Sequence, residues 1–207
     1  MAGVMTTYKN RKETNEMNKE EMTRVNKFFL GKMHEAHAGQ KRRNGTPFSA
    51  HPNRVGNSAD PSGTNPVRRA AGYGHDILED TEYTAEHLLH DFENLVVDLD
   101  DDALKQERRI DFRHVMNLVE VLTHDKENES YLEYLTRVRD SGPDAIAIKK
   151  ADIMDNFYDK PTAIEMVKYP AALLFLAGLD GDSPGELLRI LEAGKRLLDA
   201  GRTMKKI

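Results

Sequence analysis

Apolar residues recur every three or four positions along most of this chain, which is the spacing of one buried face of an α-helix. The first such face comprises Met22, Val25, Phe29 and Met33. It follows an Asn18-x-x-Glu21 start of the capping-box type, in which the two side chains bond to free backbone N–H groups. No segment alternates apolar and polar residues as a half-buried strand does, and no internal repeat is evident. The sequence therefore predicts an all-α fold.

Further helices are predicted from start signals and apolar faces along the chain. Start signals lie at Ser49, Asn65, Thr84, Pro143 and Ser183. Asn65 is followed by Pro66, and an asparagine cap with a proline in the first turn is a favoured helix start. The helix that begins there is expected to carry Ala70 to Leu78 and to be mostly buried. Two more apolar faces are formed by Val115, Leu118, Val119 and Leu122, and by Tyr131, Leu135 and Val138.

The chain of 207 residues has the length of one globular domain with short additions. Residues 1–17 are polar and are predicted to form a tail, residues 18–180 to form the core, and residues 181–207 to form a C-terminal helix that packs on the core. Residues 98–113 form a dense run of positive and negative charges, which predicts an exposed insertion within the segment 18–180.

Composition and charge exclude several classes of protein. Lys and Arg total 30 against 35 for Asp and Glu, so the net charge of −5 argues against a nucleic-acid-coating protein. The absence of Cys excludes disulfide frameworks and thiolate chemistry, and leaves nitrogen and oxygen ligands for any metal. The longest apolar run, Ala171 to Leu179, is about half of what a bilayer span needs, and no secretory signal is evident. We expect a cytoplasmic protein without a membrane or nucleic-acid partner; the sequence carries no signal of oligomeric state.

Four ionisable residues are concentrated in the segment 75–80, which reads His-Asp-Ile-Leu-Glu-Asp. On a helix, the pairs 75/79 and 76/80 lie one turn apart, and burying such groups without a partner costs several kcal/mol each. A bound metal ion would relieve that cost. His-Asp doublets also occur at residues 90–91 and 124–125, and on an acidic surface such doublets are usually solvated, so the doublet alone is not specific.

Two other segments of unusual composition frame the doublet. Upstream, residues 48–52 place His51 before Pro52, and downstream, residues 149–156 contain Asp152. The order His51, His75-Asp76, Asp152 resembles the ligand order of the HD metal-dependent phosphohydrolases.

The flanking residues make the resemblance more specific. Residues 37–52, with the pattern HAGQKRRNGTPFxxHP, resemble the opening motif of the hydrolase domain of RelA/SpoT-homologue proteins, the enzymes of the (p)ppGpp alarmones. Residues 75–81, with the pattern HDxxEDT, are similar to the central motif of that family. Residues 121–126, with the pattern VLTxDK, resemble its following helix end, and residues 151–156, with the pattern ADxxxN, resemble its last metal-ligand motif. The matches follow the order of the family between residues 33 and 158, and four ordered motifs are more specific than any one of them.

The resemblance implies an HD-domain helical bundle and a metal-dependent enzyme. The activity it implies is hydrolysis of the 3′-pyrophosphate of ppGpp or pppGpp to GDP or GTP and pyrophosphate. Mn²⁺ is the implied metal, with Fe²⁺ or Zn²⁺ as alternatives, because two imidazoles and two carboxylates suit all three ions. The implied partner is a small-molecule nucleotide substrate.

The resemblance also implies a role for each matched residue. The implied metal ligands are His51, His75, Asp76 and Asp152. The residues implied to orient or deprotonate the attacking water are Glu79 and Asp80. The residues implied to contact the nucleotide are Arg42, Arg43 and Asn156. Plainer alternatives exist for each group: the arginines could form a solvated basic turn, Asn156 could cap a helix end, His51 could begin a helix, and Asp152 could be a surface acid.

The chain departs from the family pattern at a few positions. Tyr73-Gly74 stand where the family usually has two aliphatic residues, and Lys150 replaces an aliphatic residue before Ala151. Only about fifty residues follow Tyr158, too few for a second domain of typical size, so we expect a small stand-alone hydrolase. Two alternative functions remain open: an HD nucleotidase or dNTP triphosphohydrolase that acts on another nucleotide, and a non-catalytic nucleotide-binding or interaction module.

Overall fold

The structure, a computed structural model, describes residues 25–97, 99–178 and 188. In these residues the chain is helical and contains no β-strand, apart from one isolated bridge between Lys41 and Pro47, so the predicted all-α class is confirmed. The helices are α1 (25–36), α2 (Ala50–Ala59), α3 (Pro66–Gly74), α4 (Ile77–Asp80), α5 (Ala85–Val97), α6 (Asp102–Leu122), α7 (Tyr131–Asp140), α8 (Pro143–Phe157) and α9 (Glu165–Leu176).

The predicted N-terminal tail, the capping box at Asn18 and the start of the first helix lie outside the described residues. The same holds for the predicted C-terminal helix over residues 181–207, except that Leu188 is helical and buried. Among the described residues, no helix combines the length and apolar character required to cross a bilayer.

Helix starts follow the local chemistry of the sequence. The side chain of Asn65 accepts a hydrogen bond from the backbone N–H of Arg68, as expected for an asparagine cap before Pro66. Ser130 and Glu133 form a complete capping box at the start of α7. Each cap of this kind contributes about 1 kcal/mol, because it satisfies N–H groups that have no partner within the helix.

Four phenylalanines join α1, α5 and α6 into one side of the core. The rings of Phe92 and Phe112 stack at a centroid distance of 4.2 Å, and Phe28 meets both of them edge to face. Phe29 also stacks on Phe112, at a centroid distance of 5.7 Å. This aromatic cluster anchors α6 along α1 and α5.

The charged segment over residues 98–113, predicted to form an exposed insertion, is helical for most of its length. Residues from Asp102 onward belong to α6, where Arg108 and Phe112 are buried. A helix exposes only part of its circumference, so a run that is rich in charge still presents one face to the core. Arg109 makes a two-point ion pair with Glu93 on α5, which satisfies one of these charges across the helix pair.

The predicted helix from Ala70 to Leu78 is interrupted. α3 ends at Gly74 and α4 begins at Ile77, so His75 and Asp76 lie in the turn between them. The carbonyl of Gly72, which a continuing helix would pair with the N–H of Asp76, accepts a hydrogen bond from His75 Nδ1. The backbone N–H of Asp80 still bonds to the carbonyl of Asp76, so the spacing of one turn between these two acids is kept.

Two glycines let α2 and α3 cross at close range. A Cβ atom on Gly72 would lie 2.6 Å from the Cα of Gly56, and one on Gly56 would lie 2.8 Å from the carbonyl oxygen of Arg69. No larger residue fits this contact without moving a backbone. The close crossing brings His51 on α2 next to His75 at the end of α3, while α8 packs against α2 and supplies the third wall of the site.

Candidate metal centre

Four predicted ligand residues converge from three parts of the chain. His51 lies on α2, His75 and Asp76 in the turn after α3, and Asp152 on α8. His51 Nε2 lies 3.1 Å from Asp152 Oδ1 and 3.3 Å from Asp76 Oδ2. His75 Nε2 lies 3.1 Å from Asp76 Oδ1 and 3.6 Å from Asp152 Oδ1. The structure thus brings together all four residues that the sequence predicts as ligands.

The orientation of His75 leaves one ring nitrogen for a ligand. Its Nδ1 lies 2.8 Å from the carbonyl oxygen of Gly72, which can only accept, so Nδ1 carries the proton. Its Nε2 is buried and has no hydrogen-bond partner, although two carboxylates lie close by. A buried polar nitrogen without a hydrogen-bond partner costs free energy, and a metal ion at this position would remove that cost.

His51 presents the same nitrogen to the cluster. Its Nδ1 bonds to Asp155 Oδ2 at 2.7 Å, and its Nε2 faces Asp76 and Asp152. Burial alone would lower the pKa of His51, but hydrogen bonds to Asp152, Asp155 and Asp76 raise it to about 11. His51 therefore binds a proton between the carboxylates at neutral pH, and a metal ion would replace that proton.

The two carboxylates are held in their ionised form. Burial would raise the pKa of Asp152, but the charge of Lys149 and the bond from His51 hold it well below its usual value. Lys149 Nζ donates to Asp152 Oδ2 at 2.8 Å, and Asn156 Nδ2 donates to Oδ1. For Asp76, burial also opposes ionisation, and the charge of His75 overcomes it and lowers the pKa.

The donor set fits a divalent transition metal. One ligand atom each from His51, His75 and Asp76 lie within 4.8 Å of one another, and Asp152 adds a second carboxylate to this group. Two imidazole nitrogens and two carboxylate oxygens suit Mn²⁺, Fe²⁺ or Zn²⁺, with open positions left for water and phosphate oxygens.

Glu79 and Asp80 follow the cluster on α4 and differ in their surroundings. Glu79 accepts a hydrogen bond from the backbone N–H of His124 at 3.1 Å and pairs with Lys126 at 2.6 Å, so its carboxylate faces the loop after α6. The pKa of Asp80 is raised by burial and by the charges of Asp76 and Glu79. A raised pKa makes the carboxylate of Asp80 a better proton acceptor than an ordinary aspartate.

The two arginines of the 41–47 loop are both engaged in ion pairs. Arg42 is buried and pairs with Asp159 at 2.8 Å, so it is not a solvated basic turn residue. Arg43 makes a two-point pair with Glu165 at 2.6 and 2.8 Å, while about half of its side chain stays exposed. Asn156 lies inside α8 and bonds to Asp152, so it does not cap a helix end.

A cavity of about 580 Å³ opens beside Asp152 and Asn156. Its volume is in the range that holds small ligands. Lysines and tyrosines supply six of the residues in its wall, and four acidic residues, Glu79, Glu129, Asp152 and Glu165, line it as well. The cationic and phenolic residues are Lys126, Lys149, Lys168, Tyr131, Tyr134 and Tyr169.

Lys149 and Asp155 both contact the predicted ligands, and neither is singled out by the sequence motifs. Lys149 precedes Asp152 by three residues, a spacing at which helical side chains meet, so this pair could have been found from the helix period. Asp155 contacts His51 on another helix, and no local pattern relates the two. His37, by contrast, is buried against Phe48 and bonds to Gln40, as expected for a structural histidine.

Comparison with known proteins finds distant relatives over part of the chain. No protein-family model matches it. Over 72 residues the chain is 40% identical to the GTP pyrophosphokinase of Streptomyces coelicolor. The matched region is 35% of this chain and 8% of that protein. Over 123 residues it is 33% identical to the probable GTP pyrophosphokinase of Mycobacterium leprae. Here the matched region is 59% of this chain and 14% of that protein. The matches thus span a small part of these relatives, whose name is one used in the RelA/SpoT family.

Proposed function

We propose that this chain is a metal-dependent hydrolase that removes the 3′-pyrophosphate of ppGpp or pppGpp and releases GDP or GTP and pyrophosphate. The observation that carries the proposal is the convergence of His51, His75, Asp76 and Asp152, each buried or mostly buried, beside a cavity lined by lysines and tyrosines. Such a cavity suits a phosphorylated aromatic ligand, because ammonium groups pair with phosphate and phenol rings pack against a base.

The four ligand residues would hold Mn²⁺, or Fe²⁺ or Zn²⁺, through two nitrogens and two oxygens. When bound, such an ion polarises a phosphoryl group and lowers the pKa of a bound water. Asp80 is proposed to accept the proton of the attacking water, since burial raises its pKa. Glu79, fixed by Lys126 and the backbone of His124, is proposed to orient that water.

In the proposed reaction, the water oxygen bonds to the phosphorus attached to the 3′ oxygen, and the bond between that phosphorus and the 3′ oxygen breaks. The 3′ oxygen takes up a proton equivalent to the one that Asp80 accepts from the water, which returns Asp80 to its ionised form. Asn156 lies beside Asp152 and lines the cavity, so it is proposed to contact the nucleotide. Arg42 and Arg43 are proposed to do the same. Each would exchange a carboxylate partner, Asp159 or Glu165, for phosphate, and the exposed Arg43 can do so with less disruption.

Synthesis of the same nucleotides is the second candidate function. The relatives are named GTP pyrophosphokinases, which favours it. That name belongs to proteins of which the matched region is 14% or less. The cluster of two imidazoles and two carboxylates, by contrast, is a feature of this chain, and it favours hydrolysis.

The test is incubation with Mn²⁺ and a panel of ppGpp, pppGpp, dNTPs and GTP with ATP, analysed for products. Pyrophosphate together with GDP or GTP from the alarmones supports the proposal. Turnover of dNTPs alone supports the nucleotidase alternative, and formation of pppGpp from GTP and ATP supports synthesis. Bound nucleotide without any turnover indicates the non-catalytic module.

A double variant locates the chemistry. Glu79→Gln/Asp80→Asn is expected to keep its metal and lose turnover, because neither residue is a proposed ligand. The matched control, Glu82→Gln/Glu86→Gln, removes the same two charges from exposed positions nearby and is expected to keep turnover. Equal activity in the two double variants would contradict the assigned roles.

A further inference from the structure

Asp155 makes an unusual set of contacts for a residue outside the predicted motif positions. About one-seventh of its side chain is exposed, and it lies on α8 one turn after Asp152. Asp155 Oδ2 accepts the bond from His51 Nδ1 at 2.7 Å, and the carboxylate also makes a two-point pair with Arg54 at 2.5 and 3.0 Å. Arg42 approaches the same carboxylate at 3.7 Å.

The bond to His51 decides which ring nitrogen faces the cluster. A carboxylate can only accept, so it places the proton on Nδ1 and leaves Nε2 for a metal ion. For His75 the backbone carbonyl of Gly72 does the same. The orientation of His75 is therefore built into the main chain, whereas that of His51 depends on one side chain from another helix.

The arginines hold Asp155 in turn. Arg54 lies on α2, three residues after His51, so one helix carries both the histidine and a guanidinium that fixes its partner. Arg42 comes from the 41–47 loop and pairs with Asp159 as well. Asp155 thus bonds to His51 and pairs with two guanidinium groups, and these contacts together fix the position of its carboxylate.

We propose that Asp155 is the positioning residue of the metal centre: it orients His51 so that Nε2 binds the metal ion. This rests on the proposed function only in its requirement for a metal at the four ligand residues. Outer partners of this kind fix the ring and its tautomer, and their loss typically weakens metal binding about 10- to 100-fold.

Two substitutions separate orientation from charge. Asp155→Ala and Asp155→Asn remove the same negative charge beside Arg54 and Arg42, but only asparagine keeps an oxygen that can accept from His51 Nδ1. Asp159→Asn is the matched control, because it removes a carboxylate from Arg42 without touching His51. Mn²⁺ affinity of the full chain is measured by titration calorimetry, with circular dichroism to establish that each variant is folded.

We expect Asp155→Ala to bind Mn²⁺ about 10- to 100-fold more weakly than the wild-type chain, and Asp155→Asn to recover most of that loss. Asp159→Asn is expected to bind as wild type does. Proton NMR of the Zn²⁺-loaded chain supplies a second readout. The Nδ1–H signal of His51, assigned by its loss in His51→Ala, should persist in Asp155→Asn and disappear into exchange with water in Asp155→Ala.

The outcomes distinguish this inference from the proposed function. If the wild-type chain binds metal and hydrolyses ppGpp while Asp155→Ala binds metal equally well, the positioning role is wrong and the proposed function stands. Equal losses in Asp155→Ala and Asp155→Asn would also overturn it, because charge alone would then explain the effect. If the wild-type chain binds Mn²⁺ at the four residues but turns over no nucleotide, the proposed function fails, and the affinities still decide the role of Asp155. A wild-type chain that binds no divalent cation contradicts both.

Discussion

Gly72 lies so close to Gly56 that a Cβ atom on Gly72 would be 2.6 Å from the Cα of Gly56. This contact sets the separation of α2 and α3, and therefore of His51 and His75, whose ring centroids are 5.2 Å apart. Neither glycine has a positive φ, so close approach, and not backbone conformation, is what requires glycine here.

Gly72→Ala is expected to destabilise the protein by about 1–3 kcal/mol, the usual cost of overpacking, because the methyl group meets backbone atoms that cannot rotate away. It should also weaken Mn²⁺ binding, since the helices must separate. Thermal or urea unfolding and metal titration measure the two effects. Gly31→Ala is the control: apart from its own helix backbone, no atom of the described residues lies within 4 Å of its Cβ position on α1, so the helix propensity of alanine should stabilise the protein by about 0.5–1 kcal/mol. A stable Gly72→Ala variant with unchanged metal affinity would show that the crossing is not tight.

Local features of the fold could be predicted from the sequence because their causes are local. Asn65 caps the helix that begins at Pro66, since both partners of that bond lie within four residues. The buried face of α6 follows from a period of 3.6 residues. The break at His75 was not predictable in this way, because helix propensity says nothing about a side chain that bonds back to Gly72.

The features of the candidate site likewise depend on contacts between residues that are distant in sequence. The four converging residues were named through a resemblance that spans distant motifs, not through local chemistry. The burial of Arg42 depends on Asp159, and the orientation of His51 depends on Asp155; in both pairs the partners are distant in sequence. Contacts of this kind follow from the packing of helices, which no window of sequence contains.

The ion pair between Lys149 and Asp152 gives a prediction for stability without metal. Lys149→Met is expected to destabilise the metal-free chain by about 1–3 kcal/mol, because it leaves the buried Oδ2 of Asp152 without its ion-pair partner while His51 and Asn156 still contact Oδ1. Added Mn²⁺ should recover much of this loss, since the ion supplies the missing positive charge. Unfolding curves with and without Mn²⁺ measure both quantities.

Lys150→Met is the matched control for this variant. It removes the same charge one residue along α8, about 100° around the helix axis from Lys149. We expect a much smaller change in stability and no dependence on Mn²⁺. Equal effects of the two substitutions would mean that the pair with Asp152 is not what Lys149 contributes.

The pair between Arg43 and Glu165 gives a dependence of stability on pH. The hydrogen bonds from Arg43 hold the pKa of Glu165 well below its usual value of 4.5. A lowered folded-state pKa stabilises the folded state at pH values above the unfolded pKa, and the contribution is lost as the pH falls through the folded value. Because Arg43 is half exposed, the pair contributes less than about 1 kcal/mol at neutral pH.

The free energy of unfolding of the wild type, Arg43→Gln, Glu165→Gln and the double variant, measured between pH 7 and pH 3, isolates this pair. The coupling energy should be constant above about pH 5 and should decline only at lower pH, as Glu165 takes up a proton. A coupling energy that grows on acidification would contradict the assignment.

His75 and His90 allow the candidate metal centre to be tested against a surface histidine from a second His-Asp doublet. Both precede an aspartate, but His75 is buried with its Nε2 among carboxylates, whereas the side chain of His90 is 76% exposed.

Any ligand that binds only the folded state raises stability by mass action, by about 2.7 kcal/mol at a hundredfold excess over its dissociation constant. Mn²⁺ should therefore raise the unfolding temperature of the wild type and of His90→Ala, and a chelator should reverse the shift. His75→Ala should show no shift at the same concentration, because one nitrogen ligand is gone. A shift of equal size in His75→Ala would place the bound ion elsewhere on the protein.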